Sequence, residues 1–139
     1  MILLDTNVLS ALMQREADPA VVAWLDGLPS ESVWTTSITV FEVRFGLQLL
    51  ATGRRRQQLE EAFAQALEEE LEGRVLPFDQ VAAEAAALIA AERRSEGRTI
   101  EIRDAEIAGI VVARRATLAT RNTRHFEGLA LELINPWSP

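Results

Sequence analysis

The sequence predicts a three-layer α/β/α fold around a central, mostly parallel sheet of four or five strands, and three observations support this. Short apolar runs alternate with longer segments of helical period, the pattern of strands joined by helical crossovers. Turn and cap residues fall between the two kinds of segment. No repeat or low-complexity linker divides the 139 residues, so one domain over 1–139 is expected.

Ile2-Leu3-Leu4 is fully apolar and ends at Asp5-Thr6-Asn7, cap-forming residues that precede Val8-Leu9 and Ala11-Leu12-Met13. This reads as a buried strand followed by a helix. Asp18-Pro19 places a cap before a proline at the first helical position and opens a helix that runs toward Gly27 and Pro29. Val33-Trp34-Thr35 is a short strand. Ser37 is expected to cap the next helix, in which Ile38, Phe41, Phe45 and Leu49 recur at helical spacing and mark its buried face. Residues 54 to 72 form an amphipathic helix, with arginines at its start and glutamates at its end, opposing the helix dipole. Gly73 closes it, and Val75-Leu76 is a strand. Asp79 begins an alanine-rich helix that ends near Glu96-Gly97; its segment from Val81 to Ala91 suits either a buried core helix or a dimer seam. A helix is expected from Asp104 to Arg115, then a strand at Leu118-Ala119-Thr120 and a last one from Leu131 to Ile134. In such sheets ligands gather at the carboxyl ends of the strands, where strand order reverses. Asp5 and Asn122 both lie just past strand ends.

Composition removes several chemistries. All 14 basic residues are arginine, and there is no lysine or cysteine and only one histidine, His125. A P-loop, a kinase or a Schiff-base enzyme would need lysine, a thiol nucleophile would need cysteine, and a multi-histidine zinc site would need more imidazole. What remains in quantity is carboxylate, arginine, serine and threonine, which suits an oxygen-ligand metal site. No apolar run is long enough to span a membrane. With no signal peptide read at the start and no cysteine, a cytoplasmic location is expected. The net charge of −7 argues against nucleic-acid binding by bulk electrostatics. Two divalent cations held by clustered acids would bring it to −3, leaving arginines to supply positive charge locally.

Three acids stand out. Asp5 follows the first strand, where it could be a helix cap or a ligand. Glu42 shares the face of Ile38, Phe41, Phe45 and Leu49, and a carboxylate on a buried face needs an arginine or a metal. Asp104 is aligned with Ile107, Ala108 and Val111, so it could cap its helix or stand at the edge of a buried stripe. Carboxylates brought together would repel, and Mg²⁺ is the natural remedy.

These segments resemble the PIN-domain ribonucleases, and among them the VapC-like toxins of bacterial toxin-antitoxin pairs, especially the FitB branch. The resemblance spans nearly the whole chain. It rests on Met1-Ile-Leu-Leu-Asp5-Thr6-Asn7, Thr39-Val-Phe-Glu42, Asp104-Ala-Glu-Ile-Ala108, the stretch from Leu118 to Phe126, and Asn135-Pro136-Trp137. It implies a PIN-like domain that hydrolyses RNA phosphodiesters with Mg²⁺ or Mn²⁺ held by Asp5, Glu42 and Asp104, supported by Thr6 and Thr120. It also implies a structured RNA substrate such as a transfer RNA, a homodimer, and inhibition by a small DNA-binding antitoxin. Asn122 departs from the pattern, standing where many relatives carry a fourth acid; it is expected to be a weak ligand or to hold a metal-bound water, which leaves one or two metals open. His125 stands where an aspartate is common and is expected either to close a turn or to touch phosphate. Arg44, Arg103, Arg121 and Arg124 are candidates for gripping phosphate. Two other readings are a binding module that keeps the fold with weak turnover, for which Asn122 speaks, and a phosphatase with Asp5 as nucleophile. The phosphatase reading is weakened by Asn7, which stands where that chemistry wants a second acid, and by the missing lysine.

Overall fold

The computed structural model describes all 139 residues. Five parallel strands, β1 (Ile2–Leu4), β2 (Val33–Thr36), β3 (Val75–Leu76), β4 (Thr117–Ala119) and β5 (Glu132–Ile134), lie in the order β3-β2-β1-β4-β5. Six helices flank them: α1 (Thr6–Met13), α2 (Pro19–Asp26), α3 (Ser37–Leu49), α4 (Arg54–Gln65), α5 (Gln80–Ser95) and α6 (Ile102–Arg114). This is the expected three-layer arrangement with a parallel sheet. The chain builds outward from β1 to β2 and β3, then returns to β4 on the other side of β1. The crevice between β1 and β4 is therefore the switch point where α/β sheets bind ligands.

Adjacent residues of β1 show why the strands are apolar throughout. Leu3 packs with Ile107, Ile110 and Val111 of α6 and Ala82 and Ile89 of α5 on one face. Leu4 packs with Val8, Leu9, Val21, Val43, Leu47 and Phe63 of α1 to α4 on the other. Alternating side chains thus meet a helical layer on each side. Caps set the helix starts: Asp18 accepts from the Ala20 N–H at 2.9 Å, and Asp79 from the Ala82 N–H at 3.0 Å.

Four local expectations are corrected. Thr36, not Ser37, caps α3, accepting from the Thr39 N–H at 3.1 Å, while Ser37 Oγ accepts from the Phe78 N–H at 3.0 Å. The helix expected over 54–72 is α-helical only to Gln65 and continues as a π-helical turn, Ala66–Glu70. Helix α6 begins at Ile102, two residues before Asp104, so Asp104 sits in its first turn and is not its cap. Most consequential is α3: its buried residues are Thr39, Val43 and Leu47, while Phe41, Phe45 and Leu49 are exposed. Apart from Ile38, which packs against the core, the stripe read as the core face looks out to solvent, and threonines counted as polar in the sequence occupy interior positions at the end of β2 and the start of α3. Thr35 Oγ1 donates to the Leu4 carbonyl at 2.8 Å, and Thr36 Oγ1 to Thr39 Oγ1 at 3.2 Å.

The alanine-rich helix α5 turns one face to the core, while Val81 and Leu88 on its other face are exposed. Ala82, Ala86 and Ile89 are buried against α6, and a Cβ on Gly109 would lie 2.4 Å from the Ala82 carbonyl oxygen and 2.7 Å from the Ala86 Cβ. Small residues on both helices let their backbones touch. Gly109→Ala is therefore expected to destabilise the chain by about 1–3 kcal/mol through overpacking, read as a lower urea midpoint with little change in slope; an unchanged midpoint would contradict the close approach.

Candidate metal and active site

Asp5 ends β1 and starts α1, and its position is fixed by the sheet: its N–H donates to the Ala119 carbonyl of β4 at 3.0 Å. Its side chain is only 5% exposed, and both oxygens are engaged. Oδ1 accepts from the Thr6 N–H at 2.8 Å, so Asp5 is a cap as well as a site residue. Oδ2 accepts from the Thr120 hydroxyl at 2.8 Å and from the Asn7 amide at 3.4 Å. Thr120, fully buried just past β4, also accepts from the Asn7 amide at 3.2 Å and the Asn122 N–H at 3.1 Å. Asn7 Oδ1 in turn accepts from the Arg121 N–H at 2.9 Å. The two strand ends on either side of the crevice are thus laced together by polar side chains.

Glu42, on α3, joins them through Thr6, whose hydroxyl donates to Glu42 Oε1 at 3.0 Å. Arg103 lies 3.9 Å from the other Glu42 oxygen and 3.4 Å from Glu101. Asp104 approaches from α6, with His125 Nδ1 at 3.1 Å from its Oδ2. Asp5, Thr6, Glu42, Asp104 and Asn122 line one cavity of about 340 Å³ together with Asn7, Glu101 and His125, with no apolar side chain in its wall. Five of the six expected site residues therefore share a pocket, and Thr120 stands behind it holding Asp5. Glu101 went unnoticed in the sequence, where it carries no signal beyond its nearness to Asp104. A larger cavity of about 520 Å³ lies away from these acids and is lined mainly by aliphatic side chains such as Leu9, Val22 and Leu25. Size alone does not locate the chemistry.

All three carboxyl groups are pushed above their ordinary range. Burial is the main cause for Asp5, opposed by the hydrogen bonds from Thr120, Thr6 and Asn7. For Glu42 burial again leads; Thr6 opposes it, the charges of Asp5 and Asp104 add to it, and Arg103 offsets part. Asp104 is raised by burial and then lowered by His125, with Asp5 and Glu101 raising it further. Burial is the leading cause for all three; the charge of Asp5 adds to the shifts of Glu42 and Asp104, and that of Asp104 adds to the shift of Glu42. The donor set of carboxylates and an amide fits a hard divalent cation, although no three acidic or histidine side chains stand close enough to ligate one ion together as placed.

A parallel α/β/α protein with an acid-lined pocket at its switch point is the class that fold and site define. The family model for the PIN domain matches residues 2–130, and the chain belongs to the PIN-domain family. Among its relatives, the VapC ribonuclease Y4jK of Sinorhizobium fredii is 42% identical over 139 residues, covering 100% of this chain and 99% of that protein. The toxin FitB of Neisseria gonorrhoeae is 39% identical, covering 99% of each; the crystal structure of FitAcB from that organism superposes with a TM-score of 0.88 at 39% identity, again over 99% of each chain. The tRNA(fMet)-specific endonuclease VapC of Shigella flexneri is 28% identical, over 98% of this chain and 97% of that protein. The resemblance to VapC and FitB read from the sequence is borne out.

The raised carboxyl groups set a pH dependence. An acid whose pKa is higher in the folded than in the unfolded state makes the native protein lose stability as pH climbs from its ordinary value, 4.5 for Glu42, through the raised value. Glu42→Gln is therefore expected to raise the Tm of the metal-free chain at pH 7, with the gain fading toward pH 4, and saturating Mn²⁺ should stabilise wild type more than the variant. A variant no more stable at pH 7 than at pH 4, with an equal Mn²⁺ response, would contradict this.

Proposed function

We propose that this chain is a metal-dependent endoribonuclease, the toxin of a toxin-antitoxin pair, acting through Asp5, Glu42 and Asp104 as ligands of Mg²⁺ or Mn²⁺. The observation that carries the reading is the meeting of three carboxylates from three separate elements in one wholly polar pocket, each raised by burial. When bound, the cation supplies Lewis-acid polarisation of the phosphate and an activated water. The chain's own residues orient and balance charge. Thr6 and Thr120 fix Glu42 and Asp5 by donated hydrogen bonds. Arg103 offsets the charge of Glu42, and His125 holds Asp104 from outside. Asn122 offers an amide to the same pocket in place of a fourth carboxylate, which favours weaker binding of a second cation.

The substrate class is RNA, with a structured RNA such as a transfer RNA first among candidates, in keeping with the similarity to the tRNA(fMet)-specific endonuclease of Shigella flexneri. A small DNA-binding antitoxin is the expected partner, because the similar chains crystallise in toxin-antitoxin complexes, one of them on DNA. A homodimer is expected as well. Phe41 and Phe45, stacked with ring centres 5.9 Å apart, and Leu49 offer exposed apolar surface on α3 for such protein contacts. No helix is long and apolar enough to cross a membrane. A binding module of weak turnover remains the second reading, favoured by Asn122.

End-labelled RNA incubated with the purified chain tests the first reading. Cutting is expected with Mg²⁺ or Mn²⁺, absent with EDTA, and reduced about a hundredfold or more in a folded Asp5→Asn variant. Cutting that survives EDTA or the substitution would overturn the metal mechanism, and no cutting of any RNA with any metal would favour the binding module.

A further inference from the structure

A second cavity, about 310 Å³, adjoins the acidic pocket and shares Glu101, Asp104 and His125 with it. Its remaining wall is different in kind: Arg93 from the last turn of α5, Thr99 and Ile100 from the link between α5 and α6, and Arg124 from the short 3₁₀ turn after β4. Arg93 is only 6% exposed, yet it has no carboxylate within 4.0 Å. Its one bond to the protein runs from Nη2 to the Glu127 carbonyl, which also accepts from Arg98 Nη2 at 3.3 Å. Burying a guanidinium without an anionic partner is costly, and a carbonyl shared between two arginines offsets little of that cost.

The unused donors of Arg93 are not sealed in the protein. No side-chain nitrogen or oxygen sealed from solvent lacks a hydrogen-bond partner. Arg93 Nε and Nη1, which have no partner in the protein, are therefore not sealed from solvent, and Arg93 is part of the cavity wall. Arg124 is likewise free of any hydrogen bond or ion pair to the protein and lines the same space. The other arginines suggested by the sequence are occupied. Arg44 lies over Phe63 at 4.8 Å, Arg121 over Trp137 at 4.7 Å, and Arg103 pairs with Glu42 and Glu101. Arg124 is the one of that set left available, and Arg93, set within an alanine-rich helix, was missed.

We propose that this cavity is a phosphate subsite, in which Arg93 and Arg124 hold the RNA backbone phosphate next to the one cut at the acidic pocket. The proposal rests on the reading of that pocket as the cleavage site. A buried, planar guanidinium with free donors suits two oxygens of one phosphate, and Arg124 supplies a second positive group from the facing loop. The position answers a need set by the net charge of −7: with bulk electrostatics unfavourable, the strand must be held by local positive charge beside the acids. A chain held one nucleotide from the scissile bond is also held in register with it.

The test is fluorescence anisotropy of a short fluorescein-labelled single-stranded RNA with Ca²⁺ in place of Mg²⁺, across a salt series, beside a Mn²⁺ cleavage assay on wild type. Arg124→Gln is expected to weaken binding about tenfold and to reduce the slope of log affinity against log salt by about 0.7. Arg55→Gln, which removes the same charge from α4, is expected to change neither. Arg93→Lys, which keeps the charge and loses the fork, is expected to weaken binding while the slope holds. Unchanged affinity and slope in Arg124→Gln, or an equal loss in Arg55→Gln, would overturn the subsite while leaving the nuclease reading intact if wild type cuts. RNA binding that persists while Arg124→Gln loses its complex with an antitoxin would overturn it in favour of an acidic protein side chain. A wild type that neither binds nor cuts RNA would remove the reading on which the subsite rests.

Discussion

The burial of Asp5, Glu42 and Asp104 in one pocket is the constraint around which the rest of the molecule is arranged. The folding free energy of a small domain is a modest margin, and placing three raised carboxylates in one pocket draws on it. The surrounding structure supplies what compensation it can from neutral donors. Thr6 serves two acids at once, its backbone N–H donating to Asp5 and its hydroxyl to Glu42. Thr120 is buried behind the pocket for the same purpose. Two hydrophobic clusters, one on each side of the sheet, hold the strand ends that carry these acids. A divalent cation would offset the cost of the buried charge directly.

Charge is sorted over short distances. Acids occupy the crevice between β1 and β4, while Arg93, Arg98 and Arg124 gather around the Glu127 loop beside it. A phosphodiester engaging both would meet cations in the pocket and guanidinium groups next to it, so the negative total matters less than its distribution. Arg44 and Arg121 serve aromatic packing over Phe63 and Trp137 and are drawn away from any such task.

The sheet and the acid positions were legible because their signals are local. Ile2-Leu3-Leu4 followed by Asp5 marks a strand ending in a polar residue, and Asp18-Pro19 and Asp79 mark helix starts by capping chemistry that needs no tertiary partner. The face of α3 was not legible. Glu42 was singled out for lying among Phe41, Phe45 and Leu49, yet those side chains are exposed. It is half-buried for another reason: it leans toward Thr6 across the strand ends. Periodicity counts apolar residues and assumes that they face inward; here threonines take the interior through hydroxyl bonds to Leu4 and to each other, while aromatics remain outside. Arg93 was invisible for the complementary reason, since a charged residue near a helix end reads as a solvated surface group until its neighbours are known.

The central claim is that the acids at the switch point exist to bind a cation, and Mn²⁺ binding by the isolated chain tests it most directly. Electron paramagnetic resonance of free Mn²⁺ during titration, without RNA, should show one or two ions taken up per chain, with uptake lost in a folded Asp104→Asn variant. Uptake that is absent, or that persists unchanged in the variant, would contradict the account.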